Sequence, residues 1–181
     1  MTYLILGLAL WVGAHMFKRV APGPRARIGD PGKGLIAVLL VGSVILMIVG
    51  YRAAPYIPVW EPPSVLRHVN NLLMVVAFYV YGVGATKGLL SARLRHPQLT
   101  GFTIWAGAHL LVNGDLAAMI LFGGLLVWAL AEIALINRSQ PWQRPEVVSI
   151  KGDLVALIVG LILMSIAAGV HIWLGVNPFG G

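Results

Sequence analysis

The sequence predicts an all-α integral membrane protein, a bundle of six transmembrane helices forming one domain over residues 1–181. Three observations carry that prediction. First, 59% of the residues are apolar and only 10% charged, with a mean hydropathy of +0.86, whereas a soluble domain carries about a quarter charged residues. Second, apolar runs long enough for a bilayer recur between breaking residues. Third, the basic residues fall in every second loop. Together these exclude an ordinary cytosolic enzyme, a disordered chain and a disulfide scaffold. The absence of cysteine also removes thiolate nucleophiles and cysteine-ligated metals.

Spanning about 30 Å of hydrocarbon takes roughly 20 apolar residues. The candidate spans are Thr2–Phe17, Gly34–Ala53, Val65–Gly84, Pro97–Asn113, Asp115–Ile136 and Gly152–Val176. Span 1 begins without a basic segment and has no small-residue cleavage site after it, so it reads as a retained span. Ala21-Pro22-Gly23-Pro24 and Asp30-Pro31-Gly32 then break the chain before span 2. Pro58, Pro62 and Pro63, with Tyr56 and Trp60, make a stiff aromatic link suited to an outer interface. Ser139–Pro145, with Trp142, reads as a polar cytoplasmic loop.

Charge sets the orientation. The loops after spans 1, 3 and 5 hold eleven of the thirteen Lys and Arg residues, and the loop after span 2 holds only Arg52 and Arg67. The positive-inside rule makes the three basic loops cytoplasmic and sends both termini outward, as expected of a multi-pass protein of the bacterial inner membrane. The net charge of +7 is then a topology signal with some attraction for anionic lipid. No basic stripe interleaved with aromatics points to nucleic acid.

Ionisable groups within spans are costly and read by default as functional. His68, His96 and His171 lie near interfaces. His15 and His109 lie deeper and share a context, for residues 7–17 read GLALWVGAHMF and residues 101–111 read GFTIWAGAHLL. Gly7, Trp11, Gly13, Ala14 and His15 thus recur as Gly101, Trp105, Gly107, Ala108 and His109. Spacing of four puts Gly, Trp and His on one helical stripe in each copy. Spans 1 and 4 enter from opposite sides, as in an inverted repeat. Each histidine lies about 20 Å along its span, which separates the two by about 10 Å in depth. A bis-histidine haem, needing Cα atoms roughly 12 Å apart, is compatible with that separation.

Other sites are less well supplied. Zinc wants three or four ligands, and the only acid near His109 is Asp115. Asp115 and Asp153 begin spans 5 and 6, where capping and the helix dipole account for them. Glu132 expects a partner such as Arg138 or an arginine near span 4. Asn113 either bonds a ligand or satisfies the end of span 4.

The stretch RHPQLTGFTIWAGAHLLVNGD (Arg95–Asp115) resembles the signature region of the NnrU family. The likeness extends to Gly13–Arg19, to Leu66-Arg67-His68 and to His171. That family groups denitrification-associated bacterial membrane proteins with the plant and cyanobacterial 15-cis-zeta-carotene isomerase. The resemblance implies haem b, with iron held by the histidines at positions 15 and 109. Trp11, Trp105 and Asn113 are the candidate cofactor contacts beside them, and His96 and His171 the alternate ligands. It further implies either nitric oxide and denitrification physiology or haem-dependent cis–trans isomerisation of an apolar polyene. The isomerase carries a cysteine three residues before its second histidine. Here that position is Ala106, so cysteine-for-histidine switching is unavailable while the histidine pair is kept.

Two other functions compete. Arg95-His96-Pro97 with Gly101 resembles the motif of isoprenylcysteine and phospholipid methyltransferases, although of the remaining cofactor residues only Glu132 is in place. A non-catalytic assembly factor for a reductase would need no cofactor, and would tolerate loss of either histidine.

Overall fold

The computed structural model describes residues 1–144 and 149–179, so Pro145, at the end of the polar loop, lies outside the described residues. The described chain is helical: α1 (Thr2–Val20), α2 (Pro22–Arg27), α3 (Pro31–Arg52), α4 (Leu66–Val83), α5 (Pro97–Leu110), α6 (Leu116–Ser139) and α7 (Ile150–Trp173). Six of these fall on the six apolar runs, and one isolated bridge joins Pro58 and Asp115. Four helices, α1, α3, α6 and α7, are long and apolar enough to cross a membrane. Arg67, His68, Asn70 and Asn71 dilute the start of α4. α5 has 14 residues and so rises only about 21 Å.

The two Pro-Gly stretches break the chain as expected, α1 ending at Val20 and α3 beginning at Pro31, with the short α2 between them. Proline lacks only an N–H that a helix's first turn leaves unbonded, so Pro22 starts α2 instead of preventing it. α5 ends three residues before the expected Asn113, where the chain turns into Gly114.

Small residues set the packing. A side-chain carbon added to Gly7 would lie 2.7 Å from Met47 N and 2.8 Å from Ser43 O. On Gly101 it would lie 2.6 Å from Ala77 O, and on Gly160 2.7 Å from Phe78 O. The core is correspondingly rich in alanine, with Ala77, Ala106, Ala108, Ala118, Ala129 and Ala156 all buried. Close backbone approach through small residues is how helices associate where the surroundings are as apolar as leucine. The helices form an open row in the order α3, α1, α6, α5, α4, α7. The outermost pair, α3 and α7, show long apolar faces, such as Val38, Val41, Ile45 and Ile48 on α3 and Leu154, Ile158 and Leu161 on α7.

The contacts also give direction. α3 runs against α1, since Gly7 meets Met47 and Gly50 meets Leu4. α6 runs with α1, since Gly124 faces Leu8 and Glu132 faces Arg19. α5 opposes α6, α4 opposes α5, and α7 opposes α4. Successive long helices therefore alternate. Met1 and Phe179 end up at one end of the bundle, and the eleven basic residues of the odd loops at the other.

At the terminal end the link between α3 and α4 lies across the short end of α5. Val59 N and Trp60 N both donate to Gly114 O, at 2.8 and 3.1 Å, and Leu116 N donates to Ile57 O at 2.8 Å. Trp60 O packs so closely on Gly114 that no side chain fits there. Asp115 next caps α6, its Oδ1 accepting from Ala118 N at 3.0 Å. Asp115→Ala is expected to cost about 1 kcal/mol of stability, read as a lowered thermal midpoint in detergent. Asp153 is different from the expectation. Ser149 caps α7, and the Asp153 carboxylate instead accepts from Leu89 N at 2.8 Å and Leu90 N at 3.1 Å, pinning the link between α4 and α5.

Candidate functional site

α6 lies between α1 and α5, and both members of the repeated stripe turn toward it. On α1, His15 sits against Trp11, with ring centroids 4.2 Å apart, and against Trp128 of α6 at 4.6 Å. On α5, His109 sits against Trp105 at 4.7 Å and Phe122 of α6 at 4.3 Å. Phe122 and Trp128 are six residues apart, so the imidazoles contact α6 at levels separated by about 9 Å. That is close to the depth difference obtained by counting along spans 1 and 4.

Each imidazole is held in the same way. His15 Nδ1 donates to Trp11 O at 3.0 Å, and His109 Nδ1 donates to Trp105 O at 3.0 Å. A carbonyl accepts only, so in both rings the proton is on Nδ1 and the lone pair on Nε2. Neither Nε2 has a hydrogen-bond partner among the described residues. An imidazole oriented through Nδ1–H···O=C with Nε2 bare is the arrangement that metal-ligating histidines take.

The parallel between the two copies extends to the glycines and stops at the topology. Gly13 and Gly107, two residues before each histidine, both face open space. Gly7 and Gly101 both meet a neighbouring helix, but Gly7 meets α3, the next long helix in the chain, and Gly101 meets α4, the previous one. The two stripes run in opposite directions, as read from the sequence, while the helix pairs around them are not related as an inverted repeat.

A continuous run of rings joins the two histidines. Trp11 lies 6.4 Å from Phe102, Phe102 5.0 Å from Trp105, and Trp128 5.4 Å from Phe102. Within this apolar surround three buried polar atoms have no partner among the described residues: Trp11 Nε1, Trp128 Nε1 and Glu132 Oε2. All three belong to residues at or one turn from the His15 ring. Unsatisfied polar atoms are uncommon in protein interiors, and their gathering beside one imidazole marks the His15 end as the more polar of the two. Glu132 Oε1 is bonded by Arg19 Nε at 3.0 Å. The partner of Glu132 is therefore neither Arg138 nor an arginine near span 4, but the last basic residue of α1, brought beside it by the parallel packing of α1 and α6.

The remaining candidates are placed as follows. The Asn113 side-chain amide donates to His109 O at 2.8 Å, tying the end of α5 around the histidine. His171 lies in the last turn of α7 with Nδ1 donating to Ala167 O at 2.7 Å, the same arrangement as in the pair. His96 is at the far end of α5, with Nε2 bonded to Asn137 Oδ1 at 2.9 Å. Asn137 is nine residues beyond Trp128 on α6, about 13 Å away, so His96 fastens the start of α5 to the end of α6. Arg95 serves the same corner through Ile136 O and Gln140 O. His68 is exposed at the start of α4. Sequence reasoning missed Trp128 and Phe122, which carry no spacing signal relative to spans 1 and 4. No group of three or more His, Cys, Asp or Glu arranged for a metal ion occurs among the described residues.

Comparison with known families gives one match, to the family described as "NnrU protein", over residues 3–178. No curated protein and no solved structure matches the chain.

Proposed function

The chain belongs to the NnrU family, and from that premise we propose that it is a haem b-binding protein of the bacterial inner membrane, with His15 and His109 as the axial ligands. The observation that carries this reading is the matched pair of imidazoles, each oriented by its Nδ1–H···O=C bond, each packed against a ring of α6, and neither with an Nε2 hydrogen-bond partner among the described residues. In this reading all six long helices cross the bilayer, the short α5 being completed by the link that lies over Gly114, and both termini face outward.

The residues present fit such a group in donor type and surroundings. The imidazoles of His15 and His109 would hold the iron, and Trp11, Trp105, Phe122 and Trp128 would supply apolar walls around it. When bound, haem would supply the redox and ligand-binding chemistry of an iron centre, which suits either electron exchange or work on a small gas or an apolar polyene. The chain's own contribution is to fix both imidazoles as Nδ1–H tautomers, exclude water with the ring run, and keep Glu132 Oε2 and two indole N–H groups near the His15 side. Asn113 steadies His109 through the backbone rather than through the ligand. The same family membership supports a role in nitric oxide and denitrification physiology.

Absorption spectra of the detergent-purified protein, oxidised and dithionite-reduced, test the proposal. The wild type is expected to give a sharp low-spin haem spectrum, and His15→Ala and His109→Ala each a high-spin or lost spectrum, with His171→Ala unchanged. A protein that stays colourless when haem is supplied during expression overturns it, and the assembly-factor reading then takes its place.

A further inference from the structure

Away from the histidines, a groove opens at the basic end of the bundle between the end of α4, the 84–96 link and the first turns of α7. Its larger part, about 570 Å³, is lined by Tyr79, Ile150, Lys151, Asp153, Leu154 and Leu157. A smaller part, about 300 Å³, shares Tyr79, Ile150 and Asp153 and adds Leu89, Leu90 and Arg93. The two lie side by side against those shared residues.

The composition of the groove is specific in its asymmetry. Its floor is aliphatic, and its rim carries two cations, Arg93 and Lys151, both exposed. Neither takes part in an ion pair among the described residues. Among the described residues the acid lining the groove is Asp153, whose two oxygens accept from the Leu89 and Leu90 amides; it forms no ion pair with either cation, and two cations against one carboxylate leave the groove net positive. From the rim the floor continues along α7 through Leu154, Leu157 and Leu161, all exposed and at helical spacing. A free anion would need the cations but not the aliphatic track, and a hydrocarbon would need the track but not the cations. One class of molecule needs both.

We propose that this groove is a binding site for one anionic phospholipid of the leaflet at the basic end. Arg93 and Lys151 hold the phosphate-bearing headgroup, with the Tyr79 ring beside it, and an acyl chain lies along Leu154, Leu157 and Leu161. Basic pockets between membrane helices on the cytoplasmic side recognise lipid headgroups in this way, and long cationic side chains reach the interface while their stems stay on apolar surface. Because the groove is bounded by α4, α7 and their links, the inference stands independently of whether the histidines bind haem.

Native mass spectrometry of the full-length protein in detergent tests it, with palmitoyl-oleoyl phosphatidylglycerol, palmitoyl-oleoyl phosphatidylethanolamine and inorganic phosphate as the three probes. The wild type is expected to retain one phosphatidylglycerol under activation that strips phosphatidylethanolamine. Arg93→Ala with Lys151→Ala is expected to weaken that binding by about thirtyfold, at about 1 kcal/mol per cation near the surface. Arg25→Ala with Arg27→Ala removes the same charge from α2 at the same end and is expected to leave it unchanged. Leu154→Gln, which leaves both cations in place, is expected to weaken phosphatidylglycerol by shortening the acyl track. Equal losses in the two double variants would mean general charge attraction and overturn the site. Equal retention of the two lipids overturns it as well, and so does displacement of phosphatidylglycerol by millimolar phosphate, which would mark a soluble-anion site.

Discussion

Arg19→Ala is expected to be among the most damaging single substitutions in the chain, costing about 3–5 kcal/mol. Glu132 is buried, with its side chain 7% exposed, and that of Arg19 is only 17% exposed. Removing the guanidinium leaves a carboxylate with no counter-ion, one oxygen of which already lacks any partner. A carboxylate stranded in apolar surroundings must either stay charged at high cost or take up a proton, and both destabilise the native state at neutral pH. Glu132→Gln is expected to be milder, because the amide oxygen still accepts from Arg19 Nε and the long arginine can turn its charge toward the interface. Replacing both, as Arg19→Met with Glu132→Met, is expected to recover much of the loss, since exchanging a buried pair for apolar residues of similar size is often neutral. Thermal midpoints of the three variants in one detergent measure the order. If Arg19→Ala melts with the wild type, the pair is solvated and this account of it fails.

That pair also shows how far the sequence could be read. Glu132 stood out as an acid within an apolar run, so its need for a partner was legible. Its partner was not, because Arg19 is 113 residues away and nothing in local spacing says that α1 lies parallel to α6. The six helices on the apolar runs were legible because a helix satisfies its own backbone and an apolar run is written locally; four of them, α1, α3, α6 and α7, are long and apolar enough to cross a membrane. The alternation of direction was legible for the same kind of reason, since it follows from charge in the links. Helix neighbours were not. The open row depends on which glycines find a facing backbone, and Gly7, Gly101 and Gly160 look in the sequence like Gly13 and Gly107. The link between α3 and α4 read as a stiff outer segment, yet its hydrogen bonds to Gly114 and Leu116, which complete the short α5, belong to tertiary structure. At the candidate site the sequence supplied the histidine and tryptophan stripes through their repetition. It could not supply Phe122 and Trp128, because α6 carries no copy of the motif.

The contrast among those glycines gives the second large effect. Within each copy of the stripe one glycine is closed in and one is open, so a single substitution, Gly to Ala, is expected to have opposite signs six residues apart. On Gly101 the new carbon meets Ala77 O at 2.6 Å and Tyr81 N at 2.7 Å, and on Gly7 it meets Met47 N at 2.7 Å and Ser43 O at 2.8 Å. These are backbone atoms of a packed helix and cannot turn aside, so α5 must move off α4, or α1 off α3. Overpacking of this kind costs about 1–3 kcal/mol, and a bundle held by close backbone approach has no other surface on which to recover it. On Gly13 and Gly107 the same carbon meets nothing within 4 Å. There the helix gains only its preference for alanine, about 1 kcal/mol at most. Gly7→Ala and Gly101→Ala are therefore expected to lower the thermal midpoint, and Gly13→Ala and Gly107→Ala to hold or raise it. The two closed glycines also sit on the helices that carry His15 and His109, so the displaced variants are expected to lose any spectrum that depends on both imidazoles before they lose helix content, whereas the open-face variants keep it. Equal midpoints for all four variants would mean that the helices do not approach at Gly7 and Gly101 as described.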